Sequence, residues 1–128
     1  MGFIDEDNIV GFTYVSVSDE FVYIVYLAID KKFRSQGYGT IALSEIDKMF
    51  KNKTKVLSVE KPQHPNDLPS RRIAFYTKFG YELNDFEFVW LGQVYYSTHY
   101  GKYNKEKFLK LLLTLFPECT DIKDIKKF

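Results

Sequence analysis

The sequence predicts an α/β protein of the α+β kind: a mixed, mostly antiparallel sheet with helices packed on both faces. Three observations carry that reading. Phe21–Ile29 (FVYIVYLAI) is apolar on both of its faces, the pattern of a central strand covered on two sides. Residues 40–50 then switch to helical period, with Ala42, Leu43, Ile46, Met49 and Phe50 on one face and Ser44, Glu45, Asp47 and Lys48 on the other. The run 55–60 (KVLSVE) follows as a short strand, and a strand, a helix and a strand in that order make a right-handed crossover between parallel strands.

The remaining elements fall into place around this unit. Residues 9–17 are rich in β-branched and aromatic side chains and read as a strand. Ser18, Asp19 and Glu20 supply a turn, so 9–17 and 21–29 form an antiparallel hairpin. Residues 31–39 are a polar, glycine-containing loop. Residues 61–69 hold three prolines and are a loop. Ser70 is the expected N-cap of a helix over 71–79, closed by Gly80 in a left-handed conformation. Two strands follow, 81–90 and 93–100. An amphipathic helix over 105–116 is stopped by Pro117, and 117–128 reads as a charged, weakly ordered tail. With no repeat, linker or low-complexity tract, residues 1–128 are expected to form a single domain.

Composition narrows the function. The 128 residues carry 18 Lys and Arg against 17 Asp and Glu, a formal net charge of +1. That balance argues against a nucleic-acid binder working through a broad basic field. A single cysteine, Cys119, excludes an internal disulfide, and with only His64 and His99 beside it no metal site is expected. No apolar run reaches the ~18 residues of a membrane span, and Asp5, Glu6 and Asp7 interrupt any leader at the start. The expected setting is the reducing cytoplasm, with no membrane or nucleic-acid partner.

The most informative stretch is Arg34-Ser35-Gln36-Gly37-Tyr38-Gly39-Thr40, which follows a buried strand and opens a helix. Unpaired N–H groups of a first helical turn, together with the helix dipole, hold phosphate there. Glycines at 37 and 39 let a pyrophosphate approach the backbone, and Thr40 adds a hydroxyl. The spacing is neither the dinucleotide fingerprint nor a Walker loop, and taken alone the stretch reads first as a tight strand-to-helix turn that needs positive φ. In the second stretch, 72–81 (RIAFYTKFGY), Tyr76 taken singly reads as a core aromatic.

Taken together, Arg34-x-x-Gly37-x-Gly39 after a strand and Ala74-Phe75-Tyr76-x-x-x-Gly80-Tyr81 one helix and one strand later resemble the two motifs of the GNAT N-acetyltransferase superfamily, over roughly residues 8–100. The resemblance implies a GNAT fold, with strand 55–60 splayed from strand 21–29, and a donor, acetyl-CoA, used without a metal. It implies that the backbone of Leu27, Ala28 and Ile29 pairs with the pantetheine arm. Arg34, Gln36, Gly37, Tyr38, Gly39 and Thr40 would hold the CoA phosphates. Tyr76 would be the general acid for the departing thiolate. Glu60, at the end of its strand beside the cleft, is the preferred base for the acceptor amine, with an exposed strand-end charge as the plain alternative. His64 is a lesser candidate at the acceptor entrance. Arg71 and Arg72 read either as phosphate contacts or as solvated cations at a helix start.

The chain also departs from that pattern. Only 20 residues precede Phe21, so the usual N-terminal strand and two helices, which often wall the acceptor site, are expected to be missing. Pro69 stands where the second motif often has asparagine. The leading expectation is acetyl transfer to a primary amine of a small molecule or peptide. The alternatives are a non-catalytic acyl-CoA-binding module and an oligomeric interaction module, the latter motivated by an expected exposed cluster of Trp90, Tyr95 and Tyr96. Oligomeric state stays open, a homodimer being the arrangement the resemblance suggests.

Overall fold

The structure is a computed structural model that describes residues 2–5, 8–29 and 37–125. The chain divides into two compact units, Met1–Lys55 and Val56–Phe128. Among the described residues the order is β1 (Gly2–Asp5), β2 (Asn8–Val17), β3 (Phe21–Ile29), α1 (Tyr38–Met49), β4 (Thr54–Glu60), α2 (Leu68–Phe79), β5 (Glu82–Trp90), β6 (Gln93–Tyr100), α3 (Lys105–Leu115) and β7 (Thr120–Asp124).

In the first unit β1, β2 and β3 form an antiparallel run. The strand β1 is an addition to the sequence reading. Ser18 closes the β2–β3 turn, its N–H donating to the Phe21 carbonyl at 2.8 Å. Phe21, Val22, Tyr23 and Ile24 are consecutive and all buried, as expected of a strand covered on both faces. The β2–β3 register shifts after Tyr14, which pairs with Tyr26 while Val15 pairs with Ile24. Val25 is therefore the extra residue of a bulge. Helix α1 buries Ala42, Leu43 and Ile46. Met49, expected on that apolar face, is instead exposed, because it sits in the last turn, beyond the buried stripe.

In the second unit β6 pairs with β5 antiparallel. The Lys61 N–H donates to the Val94 carbonyl and the Thr98 hydroxyl donates to the Leu57 carbonyl. The partner number falls as the β4 number rises, so β4 and β6 are antiparallel as well. Neighbouring side chains on a strand point to opposite faces, and β6 uses this to hold two helices. The Tyr100 ring meets Phe79 of α2 at 5.7 Å and stacks on Tyr81 at 5.3 Å. On the other face His99 stacks on Tyr103 at 4.3 Å, and Tyr103 meets Phe108 of α3. Helices α2 and α3 thus cover opposite faces of the β5–β6 pair.

Two helix starts differ from or add to expectation. Helix α2 begins at Leu68, not at 71, and its N-cap is Asp67, not Ser70. The Asp67 carboxylate accepts the Ser70 N–H at 2.9 Å, and Pro69 sits inside the first turn, where its missing N–H costs nothing. Gly80 ends α2 as expected, with φ +129°; a Cβ there would stand 2.8 Å from Cε2 of Tyr100. Within the stretch expected as a tail, Thr120–Asp124 forms β7, pairing antiparallel with β5. Its alternating charges suit an edge strand, which must satisfy one neighbour and repel others.

The face under α3 carries a buried polar chain. The Asn84 amide donates to the Ser97 hydroxyl at 2.8 Å, and its carbonyl oxygen faces Nδ1 of His99. Asn84, Ser97 and His99 are all buried. Since the Asn84 oxygen can only accept, Nδ1 of His99 is the donor. The Glu82 carboxylate lies 3.6 Å from Nε2. Burial lowers the His99 pKa from its usual 6.5, with Glu82 working against that shift.

Two predictions follow from these features. A folded-state histidine pKa below 6.5 means that the unfolded chain takes up the proton first as pH falls. Stability is then lost below about pH 6.5 and is flat above it as far as His99 is concerned. His99→Asn, which retains a donor for Asn84, is expected to flatten the decline in thermal midpoint between pH 7 and 5. Parallel profiles for the two proteins would show that His99 does not titrate this way. Separately, the β5–β6 turn places Leu91 at φ +50° and Gly92 at φ +77°, both left-handed as a two-residue hairpin turn requires. Leu91 is 72% exposed, so the strain brings no burial in return. Leu91→Asn is expected to raise stability by about 1 kcal/mol, a few degrees in Tm; a lowered Tm would mean that the leucine makes a contact the asparagine loses.

Candidate active site

The first unit supplies the start of α1. Gly37 precedes the helix at φ +83°, ψ +2°, a conformation costly for residues with a side chain. Among the described residues no side chain caps α1, and no acid stands in its first turn. The contrast with the other helices is direct: Asp67 caps α2 and the Asn104 carbonyl oxygen caps α3. A helix N-terminus without a capping oxygen is where an external anion gains most from the backbone N–H groups and the dipole. Tyr38 and Gly39 are half-buried, and Gly37 and Thr40 are exposed. Arg34 and Gln36, also expected at this loop, lie outside the described residues. Of the expected pantetheine segment, the backbones of Leu27, Ala28 and Ile29 pair with Thr13, Phe12 and Gly11 of β2.

The second unit supplies Tyr76 and Glu60. Tyr76 is the one buried side chain of α2. Its ring meets Phe75 edge-on at 5.6 Å and Tyr81 at 6.0 Å. Burial raises the phenol pKa above 10, while the Arg72 guanidinium, one helical turn earlier, pulls it down. Glu60 is exposed at the end of β4. The β4–β6 register sets it across from Tyr95, whose phenol is pushed up by burial and further by the Glu60 charge. Lys61, the next residue, points to the other face, 3.3 Å from the Glu87 carboxylate and over the Tyr96 ring.

The loop after Glu60 is organised by Asp67, which sequence reasoning passed over in favour of Ser70. Its carboxylate accepts the N–H of Gln63 at 2.9 Å and of His64 at 3.1 Å in addition to that of Ser70. These bonds hold its pKa well below the usual carboxylate range. The Asp-x-Pro pattern ahead of the helix was the available signal. His64 is exposed, and only its backbone is engaged. Arg71 donates to the Asn66 carbonyl at 3.0 Å, so its guanidinium closes the loop locally.

The expected exposed aromatic cluster is not one cluster. Trp90 packs on Phe116 at 4.9 Å and near Tyr95, and Tyr95 stacks on Phe88. Tyr96 lies on the opposite face under Lys61. All three are half-buried, because strand alternation separates neighbours that are adjacent in sequence.

Comparison with known proteins decides the family. The family model described as an acetyltransferase (GNAT) domain matches residues 3–83. The chain belongs to the GNAT acetyltransferase family. By that membership it is an acetyltransferase. A putative GNAT-family acetyltransferase from Bacteroides thetaiotaomicron matches with a TM-score of 0.74 and 26% identity, over 90% of this chain and 70% of that one. A GNAT-family acetyltransferase from Elizabethkingia anophelis, solved with acetyl-CoA bound, matches with a TM-score of 0.60 and 20% identity, over 77% and 72% of the two chains. Arabidopsis thaliana Naa50, solved with the bisubstrate analogue CoA-Ac-MVNAL, matches with a TM-score of 0.60 and 22% identity, over 75% and 68%. The last two likenesses show the GNAT fold alone. No curated protein matches the chain. Among the described residues no helix is long and apolar enough to cross a membrane, and no group of three or more His, Cys, Asp and Glu residues is placed to hold a metal ion.

Proposed function

We propose that this GNAT protein transfers the acetyl group of acetyl-CoA to a primary amine of a small molecule or peptide by direct attack. The observation that carries the donor assignment is the start of α1: Gly37 is left-handed, and among the described residues the helix has neither a side-chain cap nor a first-turn acid. Its N–H groups are assigned to the CoA pyrophosphate, with Thr40 adding a hydroxyl. The backbone of Leu27, Ala28 and Ile29 is assigned to the pantetheine arm. Two related folds were solved with acetyl-CoA or a CoA-linked peptide analogue, which supports the donor and the acceptor class.

The chemistry follows from the groups available. The amine lone pair attacks the thioester carbonyl carbon, and a backbone N–H of β3 donates to the developing oxyanion. The bulge at Val25 marks where the β2 ladder is interrupted in that strand. The intermediate collapses by breaking the C–S bond, and the electron pair leaves on sulfur. Tyr76 donates its phenolic proton to that sulfur. A phenol with a raised pKa does not protonate a free thiolate favourably, since thiols titrate near ~8.5, so donation accompanies C–S cleavage rather than following it. The Arg72 charge lowers the cost of the resulting phenolate. The proton the amine loses passes through water to Glu60, which stands at the end of β4 on the other face of the sheet from Tyr76.

Two substitutions test this. Tyr76→Phe is expected to lower the rate of CoA release with a responsive amine by about 100-fold, with CoA affinity changed less than twofold. An unchanged rate removes the acid role, whereas CoA binding by the wild-type protein with no CoA release on any amine favours an acyl-CoA-binding module. Gly37→Val is expected to weaken CoA binding more than tenfold in a thermal-shift titration. A Cβ at position 37 would meet no heavy atom within 4 Å, so the effect comes from the left-handed backbone, which a β-branched residue resists. Wild-type affinity in that variant removes the pyrophosphate assignment.

A further inference from the structure

We infer that the half-buried Lys55–Asp47 pair is a positioning device for α1. The inference rests on the proposed function, which assigns the first turn of that helix to the CoA pyrophosphate. Lys55, the second residue of β4, has a side chain only 3% exposed, and its Nζ donates to Oδ1 of Asp47 at 2.7 Å. Asp47 lies in the third turn of α1. The Asp47 side chain is 33% exposed, so the cost of the pair falls on the lysine: burying that charge offsets the attraction, and an apolar pair of similar volume commonly does as well or better. What such a pair supplies that packing does not is direction. Ala42, Leu43 and Ile46 bury one stripe of α1, but apolar contact is non-directional and tolerates small rotations and slides of the helix.

The rest of the first unit fits that role. The connection after α1 is tied down on the β2–β3 turn: Lys53 Nζ donates to the carbonyls of Ser18 and Asp19, and the Thr54 N–H donates to the Glu20 carbonyl at 2.9 Å. Lys55 therefore stands on a fixed segment and reaches back to the helix. The α1 N-terminus is less deeply buried: Gly37, Thr40 and Ile41 are exposed, and Tyr38 and Gly39 are half-buried. At 1.5 Å per residue, Asp47 and Tyr38 are ~13 Å apart along the axis, so a tilt of roughly 5° at Asp47 moves the first turn by about 1 Å. Displacements of that size are costly to binding and rate when they occur at a site holding a reacting ligand. Lys55 and Asp47 are positioning residues on this argument, since neither is assigned a contact with the donor.

The test is the double variant Lys55→Met/Asp47→Leu, with two readouts: CoA affinity, and hydrogen exchange of the amides at 38–43. The expected result is a thermal midpoint equal to or above wild type, CoA binding weakened about tenfold, and faster exchange in the first turn of α1 with the other elements unchanged. A lowered midpoint with wild-type CoA affinity and unchanged exchange at 38–43 would make the pair merely structural and overturn the inference. If the double variant does not fold, Asp47→Asn, which keeps an acceptor oxygen for Lys55, carries the same comparison with the same deciding outcomes. If wild-type protein binds no CoA, the proposed function fails on that result, and the exchange comparison alone decides the positioning role.

Discussion

The pleat of β6 fixes the side of the second unit on which each chemical group stands. Tyr100 and His99 are adjacent and point apart, and each binds a different helix through aromatic contact. The same alternation carries through the register to β4 and β5. Tyr96 shares a face with Lys61 and Glu87, and Tyr95 shares a face with Glu60, Phe88 and Trp90. Tyr76 reaches Tyr81, and through it Tyr100. The phenol and the Glu60 carboxylate are thus delivered to opposite faces of one sheet. A one-residue slip in β6 would exchange these sets, and the buried Asn84–Ser97–His99 chain opposes such a slip, because it would leave three polar groups without partners.

In the first unit the governing choice is at the start of α1. A helix that caps itself with Asp, as α2 does, has already spent its N-terminal N–H groups on its own carboxylate. Gly37 makes no such bond. Its left-handed backbone turns the chain into the helix without supplying a capping oxygen of its own. A missing cap costs helix stability, and the buried residues at 42, 43 and 46, with the Lys55–Asp47 bridge, are what hold the helix in its place.

Most of the fold was legible because hydrophobic period reports burial directly. The hairpin, the crossover helix and the β5–β6 pair came from runs whose alternation or helical stripe matches what the structure buries. The family was legible for a different reason: two glycine-containing motifs, each ambiguous singly, lie one helix and one strand apart. What was not legible depends on partners that a linear pattern does not name. Ser70 and Asp67 are both good caps, and Asp67 wins because its carboxylate also collects the N–H groups of Gln63 and His64 from a proline-rich loop. β7 looks like a solvated tail until the open edge of β5 is available to pair with it. Trp90, Tyr95 and Tyr96 look like one patch until the pleat divides them. In the candidate site, the backbone contributions were inferred from glycine, but the Glu60–Tyr95 juxtaposition required the β4–β6 register.

That register bears on the choice of base. Glu60 and Lys61 are neighbours of opposite charge, and on a loop or helix end they would tend to neutralise each other's local field. On a strand they cannot, because the side chains leave on opposite faces. Lys61 is taken up by Glu87. Glu60 instead faces a phenol that its charge helps to keep protonated, so Tyr95 is available as a neutral hydrogen-bond donor next to the carboxylate. A carboxylate flanked by a neutral phenol and open to solvent can orient a water or an ammonium group and accept its proton without first breaking an ion pair. The same carboxylate one position later, on the Lys61 face, would already be bound. The sheet's two-residue period is therefore what separates the Glu60 carboxylate from Lys61, as the proposed base role requires.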